Sequence, residues 1–164
     1  MAKIERIGFG QVEPNHLSAQ RTGQIYAQLP AKKDIEVLEN GQFVKYDYAK
    51  NEVNFDGEGE FMLVFNEVKL YDDNWRASYK DFAMKREDSY DKIMTPRVFK
   101  TNIGDIYTTN CVNPESEIEV GSKLIVGEKG ILEVSEEDAD MVWQVAKVYT
   151  LADGQPAVKI QRIK

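Results

Sequence analysis

The chain has 164 residues, a hydrophobic fraction of 42%, an aromatic fraction of 10% and a charged fraction of 30%, enough to bury roughly 70% of its unfolded surface in one domain without disulfide or metal staples. Its net charge of −7 excludes a surface built to displace phosphate counterions, so neither nucleic acid nor an anionic membrane is expected as a partner. A single cysteine, Cys111, excludes an internal disulfide. With His16 as the single histidine, zinc and a Cys–His nucleophile pair are not expected either.

Residues 1–34 carry Gly8, Gly10, Pro14, Gly23 and Pro30 among Gln, Asn and Ser, with no sustained apolar period. They read as an extended N-terminal arm. The arm is too apolar for free, solvated chain, so docking is expected. Ile4, Phe9, Leu17, Ile25, Tyr26 and Leu29 are its expected contacts with a partner. The start Met1 to Arg6 leads into no apolar signal core, and no run approaches the ~20 apolar residues of a membrane span. The expectation is synthesis in a reducing cytoplasm.

Residues 35–164 read as a β-rich globular domain. Ile35 to Leu38 begins it, and Glu39-Asn40-Gly41 turns the chain. Phe43 to Leu70 then reads as strand, turn, strand, Gly-rich turn, strand. Asn51 suits a positive φ at the first reversal, and Asp56-Gly57-Glu58-Gly59 is a strong turn signal. Phe61 to Phe65 is apolar on both alternating faces, which predicts a central strand covered on both sides.

An insertion over about 71–97 interrupts this pattern. Trp75, Tyr79 and Phe82 fall on one face at helical spacing, which predicts a short helix. These three are candidate partner contacts, as a protein-binding patch or a sugar-stacking platform. Packing of the same side chains inside the protein is the plain alternative. Arg86 to Lys92 reads as polar loop.

The rest is strand and turn. Arg97 to Lys100, Ile106 to Thr109, Gly121 to Val126, Ile131 to Val134, Val142 to Thr150 and Ala157 to Ile163 are expected strands. Turns at Asn102 to Asp105, Gly127 to Gly130 and Ala152 to Pro156 separate them. Gly41 through Val53 echoes Gly121 through Leu132: Gly, strand, turn with Lys, strand. The fold class expected is mainly β, a small antiparallel β-barrel or sandwich with an N-terminal arm and a short helical insertion.

Nothing in the sequence assembles chemistry. Glu136 to Asp140 is dense in carboxylates but lacks the spacing of a calcium loop. No nucleophile elbow, P-loop or dinucleotide fingerprint occurs. No enzyme, cofactor or metal is expected, and Cys111 reads as a small buried residue at a strand end.

The words GQVEPNHLSAQRTGQIYAQLPA (Gly10 to Ala31), ENGQFVKYDY (Glu39 to Tyr48), GEFMLVFNEVKLY (Gly59 to Tyr71), VFKTNIGDIYTTN (Val98 to Asn110), VGSKLIVGEKGILEV (Val120 to Val134) and LADGQPAVKIQRI (Leu151 to Ile163) resemble structural proteins of tailed-bacteriophage virions. The resemblance is to the capsid decoration, cement or head-fibre-like class. It implies a β-rich, non-enzymatic module that bridges capsomers and stabilises the shell. Its partners would be the major capsid protein and neighbouring copies of itself in a multi-copy assembly, and its location the virion. The alternatives are a carbohydrate- or receptor-binding β-module, or a phage assembly factor.

Overall fold

Alternation of apolar and polar residues at period two, punctuated by Gly and Asn, folds this chain into short antiparallel strands. The computed structural model describes residues 2–4, 8–16, 28–66 and 83–164. Among them there is no α-helix, and the fold is mainly β. The helical face expected through Trp75, Tyr79 and Phe82 lies outside the described residues.

The sheet built first in the chain has four strands. They are β4 (Phe43–Asp47), β5 (Glu52–Asn54), β6 (Met62–Val64) and β8 (Val98–Phe99), in the order β5-β4-β6-β8. The reversal between β4 and β5 uses Asn51 at φ 57°, as the sequence predicts. Alternation along β4 and β6 gives this sheet two apolar faces. Phe43 and Leu63 enter one core, whereas Val44, Tyr46, Met62 and Val64 enter another. All three residues of β6 are buried, so it is the doubly covered strand expected between Phe61 and Phe65.

A six-stranded sheet covers the first face. Its strands are β2 (Val12–His16), β9 (Ile106–Thr109), β11 (Lys123–Val126), β12 (Leu132–Val134), β13 (Trp143–Thr150) and β14 (Pro156–Arg162). Their order is β12-β11-β13-β14-β9-β2. The end strands β12 and β2 do not pair, so among the described residues the sheet is open and the architecture is layered, not a closed barrel. Trp143 is the centre of the shared core. Its ring lies 5.0 Å from Tyr107, edge-on at 90°, and 5.9 Å from Phe43 of the facing sheet. Each such contact adds ~0.5–1.5 kcal/mol beyond area burial. A bulge between Val145 and Lys147 ends the buried face of β13, so the alternation read along Val142 to Thr150 holds only in its first half.

Two small pairs complete the fold. β1 (Ala2–Lys3) pairs with β10 (Glu117–Ile118), and β3 (Val37–Glu39) pairs with β7 (Ala83–Lys85). The segment before β3 covers the second face of the four-stranded sheet. Ala31 bridges Val53, and Leu29, Ala31 and Ile35 are buried there. Arg86 pins this segment by donating to the carbonyls of Lys32 (2.7 Å), Ile35 (2.8 Å) and Lys92 (2.8 Å). The polar stretch Arg86 to Lys92, read as loop, is therefore also a clamp, and it contains one short 3-10 turn, Tyr90–Lys92.

The described parts of residues 1–34 correct the expectation that their apolar side chains await a partner. Ile4 is fully buried in the main core, and Leu29 is 8% exposed in the second one. The physical reason is that β1 pairs with β10 and Ala31 bridges Val53 of the same chain, which carries the neighbouring Ile4 and Leu29 inward. Pro14 sits within β2, an edge strand, and the pairing with β9 shifts register between Glu13 and His16. An edge tolerates the missing N–H, which an interior strand would not.

Among the described residues, one turn occurs three times. Glu39-Asn40-Gly41-Gln42, Asn102-Ile103-Gly104-Asp105 and Glu119-Val120-Gly121-Ser122 each carry Gly third, at φ 99°, 95° and 94°. In each, the fourth residue's N–H donates to the first carbonyl. The fourth side chain accepts from the first N–H, at 2.7, 2.8 and 3.0 Å respectively. The third N–H and fourth carbonyl then bracket Val64, Arg162 and Val145 on a neighbouring segment. The echo read between Gly41 and Gly121 has this geometry beneath it.

Candidate functional site

Of the residues expected to meet a partner, Ile4 and Leu29 are core. Phe9 is half-buried, with the Lys85 ammonium 5.3 Å from its ring centre. Leu17, Ile25, Tyr26, Trp75, Tyr79 and Phe82 lie outside the described residues. Among the described residues, Ile4, Phe9 and Leu29 form no common exposed surface. Cys111 is fully buried two residues beyond β9, as expected. A Cβ placed on Gly10 would stand 3.1 Å from its Sγ, so backbone closes over the thiol. Beside it the Tyr107 phenol is held well above its ordinary value by burial, with a smaller push from Cys111. Neither group reaches solvent. Among the described residues no three His, Cys, Asp or Glu side chains come together as a metal site.

An exposed concave surface with convergent polar groups lies at the end of β4. Strand alternation puts Tyr46 and Tyr48 on one side. Tyr46 is 8% exposed and rooted in the second core, whereas Tyr48 is 69% exposed. The two rings stack at 5.2 Å with planes 29° apart. A buried ring thus holds an exposed one in place.

The loop Asp56 to Glu60 forms the opposite wall. It presses on β4 so closely that a Cβ at Gly57 would lie 2.7 Å from Asn54 Oδ1 and 2.9 Å from the Tyr46 carbonyl. This approach brings Glu58 and Glu60 beside the tyrosines. With Met62 and Lys100 they line a cleft of about 200 Å³. Glu60 is fixed from both sides: Oε1 meets Arg162 Nη1 at 2.7 Å and Oε2 meets Lys100 Nζ at 3.0 Å. Behind the same loop lies a second cleft of about 600 Å³, where Lys45 and Phe61 face Asp140, Met141 and Arg162. Lys45 Nζ stands 4.3 Å from the Phe61 ring centre.

A third feature is the outer half of β13. This strand pairs with β14 from Trp143 to Thr150 but with β11 only at Trp143 and Gln144. Among the described residues, Lys147 to Thr150 have no strand on their other side. The Tyr149 ring lies 5.9 Å from Lys147 Nζ and 5.6 Å from Lys159 Nζ.

Sequence reading missed the tyrosine cleft and the outer half of β13. The signal for the first was present as Tyr-x-Tyr at a strand end, followed by Asp-Gly-Glu-Gly-Glu. The second has no local signal, because an open edge depends on where β11 stops. No protein-family model, no curated protein and no solved structure matches this chain.

Proposed function

We propose that the chain is a non-enzymatic structural protein of a tailed-phage virion, which binds the capsid and stabilises it as a decoration or cement protein. The observation that carries the reading is the outer half of β13, which among the described residues has no strand on its other side. A strand edge without a neighbour accepts an extended segment by main-chain hydrogen bonds, and side-chain pockets add selectivity. Lys147 on that edge discourages indiscriminate pairing between copies, as edge lysines do. With Lys159 it places positive charge beside Tyr149 on a chain whose net charge is −7. The partner segment is an extended strand of the major capsid protein or of a neighbouring copy. Repetition of the contact over a symmetric shell lets modest single-site affinity hold the protein in place. The resemblance of the strand and turn words to capsid decoration proteins supports the same reading.

The test is co-expression with the major capsid protein of the same genome, followed by sedimentation of the particles. The protein is expected to travel with them. Lys147→Glu combined with Lys159→Glu, the first exposed and the second half-buried on the strand surface, should weaken retention by about tenfold with an unchanged melting transition. Particles that sediment without the protein, including a case where it aids assembly and is then lost, would overturn the proposal.

A further inference from the structure

We infer that the cleft over Tyr46 and Tyr48 is a saccharide-binding site that takes one pyranose ring of a neutral glycan. This does not rest on the capsid reading. An aromatic ring 69% exposed leaves apolar area in water that a ligand can cover. Here the ring is also pre-oriented, because Tyr48 stacks on Tyr46 and Tyr46 is anchored in the core. Binding therefore orders few additional side chains, which is where small ligands commonly lose affinity.

A pyranose has a flat face of C–H groups and a rim of hydroxyls. The C–H face matches the Tyr48 ring, and the hydroxyl rim meets charged hydrogen-bonding groups on the opposite wall. Glu58 and Glu60 present carboxylate oxygens, each with two lone pairs. The Glu60 carboxylate is already held by Lys100 and Arg162, so its orientation is fixed before a sugar arrives. A volume of about 200 Å³ falls below the ~300–1,000 Å³ of drug-sized pockets and suits a single ring, with the rest of the glycan over the rim. Lys100 and Arg162 are both already engaged by Glu60, and Glu58 adds a further negative charge, so the cleft disfavours sialylated or sulfated sugars and selects a neutral one.

The full-length protein should be applied to an array of neutral hexose- and N-acetylhexosamine-terminated oligosaccharides, printed beside sialylated and sulfated ones. Retention on neutral glycans is expected. Titration with the retained oligosaccharide should show a loss of at least about tenfold for Tyr48→Ala, with Tyr48→Phe close to the parent because the ring face is kept. Glu58→Gln should weaken binding less than Tyr48→Ala, since an amide still offers one carbonyl acceptor. Circular dichroism melts of the variants separate loss of binding from loss of fold. No retention on any neutral glycan, retention on acidic glycans alone, or undiminished binding by folded Tyr48→Ala would each overturn the inference.

Discussion

Glu60 sits between two cations, and its acidity follows from that position. Burial alone would raise its carboxyl, but hydrogen bonds from Lys100 and Arg162, with their charges, outweigh it and hold the group below its ordinary value. The folded protein thus binds this proton more weakly than the unfolded chain does. Ionised Glu60 stabilises the fold above the ordinary Glu range near ~4.3, and that contribution is lost as pH falls through the lower folded value. Urea unfolding of the parent and of Glu60→Gln should therefore differ most near neutrality and converge in acid. A gap that stays constant through the acid range would show that the ion pairs are not coupled to folding. The partners explain why the residue matters. Arg162 is 8% exposed and also donates to Thr101 Oγ1 at 3.0 Å and to the Lys164 carbonyl at 2.9 Å. Glu60 thereby ties the loop beside Tyr48 to the last strand of the chain.

The repeated turn is the unit that locates strands relative to one another. Its glycine supplies the left-handed φ, and the side chain after it accepts from the turn's first N–H, which would otherwise be an unmatched donor. The three copies differ in burial and charge, which gives a graded expectation. Asp105 is 5% exposed and accepts with a carboxylate, whereas Ser122 accepts with a hydroxyl in an exposed turn. Asp105→Ala should destabilise by about 1.5–3 kcal/mol and Ser122→Ala by about 0.5–1.5 kcal/mol, the ranges for charged and neutral hydrogen bonds. Chemical denaturation of the two variants checks both the order and the size. Equal effects would mean that the bracketing backbone bonds, not the side-chain acceptor, hold the turn. The turn Gly127 to Gly130, a hairpin between β11 and β12, serves a different end. Gly130 has φ 71°, and any Cβ there would run into the Phe43 carbonyl, so this turn docks the six-stranded sheet onto β4.

For the molecule as a whole, the decisive packing is that of the N-terminal residues against sheets formed much later in the chain. Ile4 is buried among Phe43, Tyr107, Ile118 and Trp143 in one cluster. Truncation of such a side chain to Ala typically removes ~2–5 kcal/mol. Ile4→Ala is expected to lower the thermal midpoint accordingly while keeping a single cooperative transition. An unchanged midpoint would mean that residues 1–34 act only outside the fold. The layering has a further consequence. Among the described residues, the four-stranded sheet has core on both faces and the six-stranded sheet on one, which leaves the outer face and the far end of β13 to meet other segments or molecules.

The sequence by itself determined the class of fold, most of its strands and several of its turns. The reason is that period-two alternation, Gly at the tight reversals and Asn51 at a positive φ are local properties, legible without knowing what lies across the sheet. The same local reading identified β6 as covered twice, because an unbroken apolar run leaves no face for water. It missed β1, β2, β7 and β10, which are held in place by strands distant in sequence. It also assigned Ile4 and Leu29 to a partner, since sparse apolar residues among Gln and Asn carry no mark of the groove they fill. Tertiary structure alone decided those placements, as well as the open sheet where the sequence admitted barrel or sandwich, the stacking of Tyr48 on Tyr46 and, among the described residues, the open far half of β13. Each depends on where a second segment ends or presses, and that geometry is set by contacts across tens of residues that no local window contains.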